Sequence, residues 1–305
     1  MKGLVLKSTG NNYKVKTDDD TIFDCRIKGK LRLNGIRSTN PIAVGDYVFF
    51  DLENESAGII TDIADRKNYI IRKASNLSKE SQIIAANIDM AFLIVTVDFP
   101  EVKLPFVDRF LVTCEAYNVP ATIILNKMDI YSPQALQMVE AFKEIYAGAG
   151  YDVIESSATT GLGLDEIRER CKGKVVLFSG QSGVGKSSLI SALDPDLNLR
   201  VGEISEYHQQ GKHTTTFYEM HPISSGGFVI DTPGIRGFGL VDVSQLELSG
   251  YFPEMLRIED NCRFAPCTHT HEPGCAVKEA VENGEISVER YESYLGMLDE
   301  QTKYR

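Results

Sequence analysis

The segment Gly180-Gln181-Ser182-Gly183-Val184-Gly185-Lys186-Ser187 limits the fold of this 305-residue chain more than any other feature. It matches G-x-x-x-x-G-K-[ST] without a gap, with an apolar run at 175–178 entering it and a helical pattern at 187–193 leaving it. Glycines here let backbone N–H groups turn inward around phosphate oxygens, and the following helix adds the positive end of its dipole. Lys186 is then placed to neutralise phosphate charge, and the Ser187 hydroxyl to ligate Mg²⁺. A plain glycine-rich turn is the simpler alternative. The strand before and the helix after favour a nucleotide loop on a parallel sheet.

A second motif addresses the base. Asn126-Lys127-Met128-Asp129 follows the apolar run 121–125, at a strand end, where open α/β sheets place ligands. The Asp129 carboxylate can accept from both N1–H and the exocyclic N–H of guanine, a pairing adenine does not offer. Lys127 can lie along the base and bridge to the phosphate loop. A strand-to-helix turn would also suit the tetrapeptide, but its company with a phosphate loop favours base reading. Ser156-Ser157-Ala158 follows the next strand and resembles a loop that donates backbone N–H to guanine O6, with Ser157 and Ala158 in the contact positions. In the usual order the phosphate loop comes first. Here it follows the base-reading motifs, so the nucleotide domain reads as circularly permuted.

The strand at 229–231 ends in Asp231-Thr232-Pro233-Gly234. In such a motif Asp231 holds a Mg²⁺-bound water, and the Gly234 N–H senses the terminal phosphate. Upstream, one threonine of Gly211-Lys212-His213-Thr214-Thr215-Thr216, best Thr215, is expected to close over Mg²⁺. Ile235 stands where a water-orienting glutamine sits in Ras-like enzymes, and an isoleucine cannot orient water. His213 is therefore a candidate catalytic group beside Lys186 and Thr215, since an imidazole can accept a hydrogen bond from water near neutral pH. Packing within the switch is an equal alternative for His213, and His208 is a weaker substitute.

Around these motifs the chain divides into three. Apolar or alternating runs at 3–6, 13–17, 21–27, 47–52 and 58–63 predict five short strands, for which an OB-like barrel is the natural candidate. An unrelated β-domain without a ligand is the alternative. Residues 69–86 read as a polar connector. From residue 88 strands alternate with helices, the pattern of a parallel sheet covered on both faces. The expected domains are 1–68, 69–240 and 241–305, the last irregular and then helical from residue 276. No apolar run is long enough to cross a bilayer, and the start lacks a signal-peptide pattern, which predicts a cytoplasmic protein. Net charge is −11, which argues against a general nucleic-acid coat, yet Arg26, Lys28, Lys30, Arg32 and Arg37 form a basic stretch that keeps nucleic acid open as a partner.

Cys262-x₄-Cys267-x-His269-x₅-Cys275 supplies three thiolates and one imidazole, a closed four-ligand set suited to one structural Zn²⁺. His271 is an alternate ligand. A catalytic metal fits less well because four protein ligands leave no open position.

Taken in order, the barrel-like start, Asn126–Asp129, Gly180 through Ser188, Gly211–Thr216, Asp231–Gly234 and Cys262…Cys275 resemble the ribosome small-subunit-dependent GTPase A (RsgA) family of circularly permuted GTPases. The match runs over nearly the whole chain. That resemblance implies an N-terminal OB-fold barrel, a central α/β permuted GTPase domain and a C-terminal, mostly helical zinc domain. It implies GTP and GDP as ligands, Mg²⁺ with the nucleotide, and a cytoplasmic role late in maturation of the small (30S) subunit. It also implies hydrolysis stimulated by the subunit, contact with 16S rRNA and release of maturation factors. A hydrophobic residue at Ile235 and a proposed catalytic role for His213 follow from it too, while Lys212 departs mildly from the family's usual arginine. No heptad pattern suggests more than a monomer.

Two rival readings remain: an ATP-using P-loop enzyme, opposed by Asn126–Asp129, and a non-enzymatic RNA-binding module. The permuted order also leads from Gly234 straight into the Cys/His region, which predicts that nucleotide state shifts that region's orientation.

Overall fold

A computed structural model describes residues 1–27, 41–73, 81–197, 218–231 and 243–303. The first five strands are β1 (Lys2–Thr9), β2 (Asn12–Lys16), β3 (Ile22–Ile27), β4 (Tyr47–Leu52) and β5 (Ala57–Ile63). They pair in the order β1-β2-β3-β5-β4, and β4 returns to β1 to close a five-stranded barrel of OB type. Alternation turns Tyr13, Val15, Phe23, Cys25, Val48 and Phe50 inward, and the Phe23 and Phe50 rings lie 5.4 Å apart. Gly58 is required by close approach, because a Cβ there would stand 2.6 Å from the Phe50 ring. Arg66 clamps the chain leaving the barrel through two 2.6 Å bonds to the fully buried Asp46.

Residues 69–86 correct the sequence reading. The described ones are not a polar connector: β6 (Tyr69–Lys73) and β7 (Ser81–Ala86) pair antiparallel. The doublets Ile70-Ile71 and Ile83-Ile84 are all buried. Adjacent strand residues face opposite sides, so two isoleucines in a row mark a ribbon covered on both faces.

The nucleotide domain follows as β8 (Met90–Val95), α1 (Leu104–Ala116), β9 (Ala121–Leu125), α2 (Pro133–Ala149), β10 (Val153–Glu155), α3 (Leu164–Cys171), β11 (Lys174–Gly180), α4 (Lys186–Leu193), β12 (Tyr218–Pro222) and β13 (Gly227–Asp231). The strand order is β10-β9-β8-β11-β13-β12, parallel throughout except for β12. Its central strands carry continuous apolar runs, with residues 91–94, 123–125 and 176–178 fully buried. β12, absent from the sequence reading, joins the domains. It pairs with β13 on one side and with barrel strand β1 on the other, where Lys7 and Glu219 form a 2.7 Å ion pair.

The C-terminal region contains α5 (Pro253–Leu256), α6 (Ala276–Glu282) and α7 (Val288–Lys303), joined by short 3₁₀ turns and loops. Phe252, Met255, Val277, Tyr294 and Met297 pack in a second core that includes Val112 of α1. Arg290 seals the contact. Its guanidinium, 1% exposed, meets Asp108 of α1 at 2.7 Å and Glu254 of α5 at 2.7 and 3.1 Å. Burial raises the Asp108 carboxyl, an effect the Arg290 charge only partly offsets. The Cys/His region is thus built onto α1. No described helix is long and apolar enough to cross a membrane.

Candidate functional site

The site lies at the C-terminal ends of the parallel strands. The sheet sets β8 between β9 and β11, so the Asn126–Asp129 turn and the phosphate loop leave it two strands apart. They meet above β8. The buried Asn126 side-chain amide donates to the Val184 carbonyl at 2.9 Å, and Lys127 Nζ donates to the Gly183 and Phe99 carbonyls, each at 2.7 Å. Lys127 occupies the left-handed region at φ 65°, which turns Asp129 outward from the strand end. Ser157 Oγ donates to Asp129 Oδ1 at 2.6 Å and leaves the second carboxylate oxygen for a ligand.

Gly185 caps α4 with φ 89°, a conformation that disfavours any Cβ, and a Cβ there would fall 2.5 Å from Asn126 Nδ2. Only glycine lets the phosphate loop pass this close to the base-reading turn. Lys186 follows at the helix start, buried, and its amino group pairs with Asp231 at the end of β13. Ser187 and Ser188 sit in the first turn of α4, where free backbone N–H groups face outward. One end of the site therefore presents a carboxylate acceptor and the other a cation and amides, the polarity a guanine nucleotide requires.

Two supporting contacts lie outside the roles read from the sequence. The Tyr131 hydroxyl donates to the Asn126 carbonyl at 2.7 Å and accepts from the Val97 N–H, and burial pushes that phenol up to about 12. The Ser156 hydroxyl donates to Asn126 Oδ1 at 3.0 Å, setting the amide so that its NH₂ faces Val184. Nothing local marks Tyr131; Ser156 carried a hint, as a small polar residue at the end of a buried strand. Gly211–Thr216, with His213 and Thr215, as well as His208, Gly234 and Ile235, lie outside the described residues.

The RsgA GTPase family model matches residues 63–241, and the RsgA N-terminal domain model matches residues 2–60. The chain belongs to the RsgA GTPase family. It is accordingly a hydrolase that acts on GTP, with a circularly permuted domain. It is 54% identical to a "Small ribosomal subunit biogenesis GTPase RsgA" of Bacteroides fragilis, over 100% of this chain and 99% of that protein. The protein of the same name from Christiangramia forsetii is 49% identical over 100% of this chain and 98% of its own length. Among solved structures, YjeQ from Thermotoga maritima aligns with TM-score 0.78 and 36% identity, covering 98% of this chain and 97% of that one. YloQ, described as a circularly permuted GTPase, aligns with TM-score 0.74 and 32% identity, covering 100% and 96%.

The RsgA-family chain also holds a metal-binding constellation. Ligand atoms of Cys262, Cys267, His269 and Cys275 all lie within 4.8 Å of one another. His269 Nδ1 is 3.6 Å from Cys262 Sγ and 3.3 Å from Cys275 Sγ, and the two sulfurs are 3.9 Å apart. A tetrahedral ion with metal–sulfur bonds of about 2.3 Å needs sulfur–sulfur edges of about 3.8 Å, so the set fits. His269 Nε2 faces Glu259 at 3.7 Å, an orienting carboxylate. Burial pulls the His269 imidazole down and keeps it neutral, as a ligand must be, and pushes the Cys267 thiol up to about 12. Three thiols and one imidazole converging within 4.8 Å form a donor set suited to a single cation. His271 stands apart, its Nδ1 2.9 Å from the Thr270 hydroxyl.

Proposed function

We propose that this chain hydrolyses GTP to GDP and phosphate while bound to the small (30S) ribosomal subunit, as a late maturation factor of that subunit. One observation carries the nucleotide part: Asn126 and Lys127 are bonded to the phosphate loop across an intervening strand. Base reading and phosphate binding are thus one rigid unit despite the reversed chain order. The ribosomal part rests on end-to-end similarity to proteins named for biogenesis of the small ribosomal subunit.

In this reading Asp129 accepts the two guanine N–H groups, with Ser157 and Ala158 beside O6 and Met128 in the turn. The amides of Gly180, Gln181, Ser182, Gly183, Val184, Gly185, Lys186, Ser187 and Ser188 surround the phosphates. Lys186 draws charge from the β- and γ-phosphates. Ser187 and Thr215 would hold Mg²⁺ with the nucleotide, where it would supply further charge neutralisation, and Asp231 would accept a hydrogen bond from a water bound to it. Gly234 contacts the γ-phosphate. His213 orients the attacking water, whose oxygen bonds to the γ-phosphorus as the bond to the β-phosphate bridging oxygen breaks. Cys262, Cys267, His269 and Cys275 hold one structural Zn²⁺, which stabilises a region with a small core.

The chain acts as a monomer in the cytoplasm, divided at residues 68 and 240. Arg26, Lys28, Lys30, Arg32 and Arg37, together with the Cys/His region, contact 16S rRNA. Phosphate release titrated with purified small and large subunits tests this. Stimulation by small subunits alone is expected; equal or absent stimulation by both would remove the ribosomal assignment.

A further inference from the structure

A cavity of about 540 Å³ opens between α1, α2 and α7, away from the nucleotide. Its floor is apolar, made by Met138, Phe142, Ile145 and Met297, and Met138 is 48% exposed. Its rim is acidic. Arg109 is taken by Glu300 through two 2.7 Å bonds, and Lys103 by Glu101 at 2.7 Å. Glu289 and Glu292, one turn apart on α7, line the same opening with no cation partner among the described residues.

Gly296, in the middle of α7, faces this cavity too, and a Cβ there would meet nothing within 4 Å. Glycine weakens a helix interior relative to alanine. The chain's own packing does not ask for it, whereas close approach of an outside group to the helix backbone would. The cavity wall also reaches the nucleotide site. Residues 101–105 line it, while two residues upstream the Phe99 carbonyl accepts from Lys127 Nζ, and Pro100 lies 3.5 Å from where a Gly183 Cβ would stand.

We propose that this cavity docks a short basic segment of a small-subunit protein. One apolar side chain seats on Met138, Phe142, Ile145 and Met297, the segment's backbone passes over Gly296, and an Arg or Lys meets Glu289 and Glu292. Charge complementarity and an apolar, helix-walled groove select a peptide over nucleic acid, whose phosphates the carboxylates would repel. Occupancy presses on the loop that carries Phe99 and Pro100, so docking bears on the brace around Lys127 and Gly183. The proposal rests on the small-subunit reading above.

The test uses the full chain with its metal. Hydrolysis is measured against small-subunit concentration for wild type, Gly296→Trp, Gly296→Ala and the surface double variant Glu289→Lys/Glu292→Lys. Gly296→Trp and the double variant should keep basal hydrolysis and raise the half-saturating subunit concentration about fivefold or more, with Gly296→Ala near wild type. A benzophenone amino acid placed at Met138 should cross-link to a lysine- or arginine-rich segment of a subunit protein. Unchanged subunit dependence in the double variant overturns the docking site, as does a cross-link only to rRNA, to a second copy or within the chain. If wild type itself gains nothing from small subunits, the functional reading falls and the docking site with it. If wild type responds while the variants match it, only the docking site falls.

Discussion

The side-chain amide of Asn126 donates to the carbonyl of Val184, 58 residues further along the chain and 2.9 Å away. That bond joins the base-reading turn to the phosphate loop. It depends on Gly185, whose missing side chain leaves room for the amide, and on Ser156, which fixes the amide's orientation.

Gly185→Ala should therefore damage nucleotide binding without unfolding the domain. The added methyl falls 2.5 Å from Asn126 Nδ2 at a φ of 89°. A loss of GTP affinity of more than about tenfold is expected. Fluorescent-nucleotide titration measures it, with circular dichroism expected to stay at the wild-type signal.

Asp129→Asn replaces an acceptor by a group that donates at the same point. Affinity for GTP should fall on the order of a hundredfold, about 2–3 kcal/mol, while xanthosine triphosphate gains. Unchanged preference for GTP in a competition assay would return the ATP-using reading to consideration.

Arg290→Leu leaves Asp108 and Glu254 buried without their shared cation. Removing one partner of a buried ion pair costs about 3–5 kcal/mol. Thermal melting should show it as a large drop in midpoint. Because Asp108 belongs to α1, the loss should reach the nucleotide domain rather than stay in the C-terminal region. A region held this way moves only if α1 moves with it, a constraint on any nucleotide-driven reorientation.

Cys262→Ser should lower bound zinc from one ion per chain to well below one, measured by elemental analysis. With one ligand of the compact set gone, the melting midpoint should fall by roughly 5 °C or more. Nucleotide affinity should change little, since the cluster shares no residue with the phosphate loop.

Glu272 gives a pH signature. Burial alone would raise its carboxyl, but hydrogen bonds from the Thr268 hydroxyl and from the Thr268 and Thr270 N–H groups outweigh it and hold the group well below the usual carboxylate range. A carboxyl lowered in the folded chain contributes stability that is full above its unfolded pKa and lost as pH falls through the folded value. Glu272→Gln should be less stable than wild type at pH 7, by about 1–2 kcal/mol. The gap should persist to about pH 5 and narrow below about pH 4.5. A gap that stays constant to pH 3 would contradict the assignment.

Much of the site was legible in the sequence because its parts are local. A phosphate loop needs glycine, lysine and serine at fixed offsets within eight residues, and a base-reading turn needs four. The four residues of the Cys/His cluster span only 262–275. Such spacings follow from backbone reach, so the chemistry is written in contiguous stretches. The supports were not legible. Tyr131 and Ser156 act by bonding to Asn126, and neither its own backbone nor its neighbours demand that role. The ribbon at 69–86 was hidden because doublets of isoleucine lack the alternation that marks a half-buried strand.

From the chain alone come the family's motif order and the clusters at 126–129, 180–188 and 262–275, because each is set by spacing within a few residues. How those parts are joined is visible only in the packed molecule. β12 ties the barrel to the nucleotide sheet through Lys7 and Glu219, 212 residues apart, and Arg290 ties the C-terminal helix to Asp108, 182 residues away. Local sequence constrains dihedral angles and spacing over a few residues. Contacts between distant residues form only where the packed sheet and helices bring them together, and no periodicity in the chain announces them.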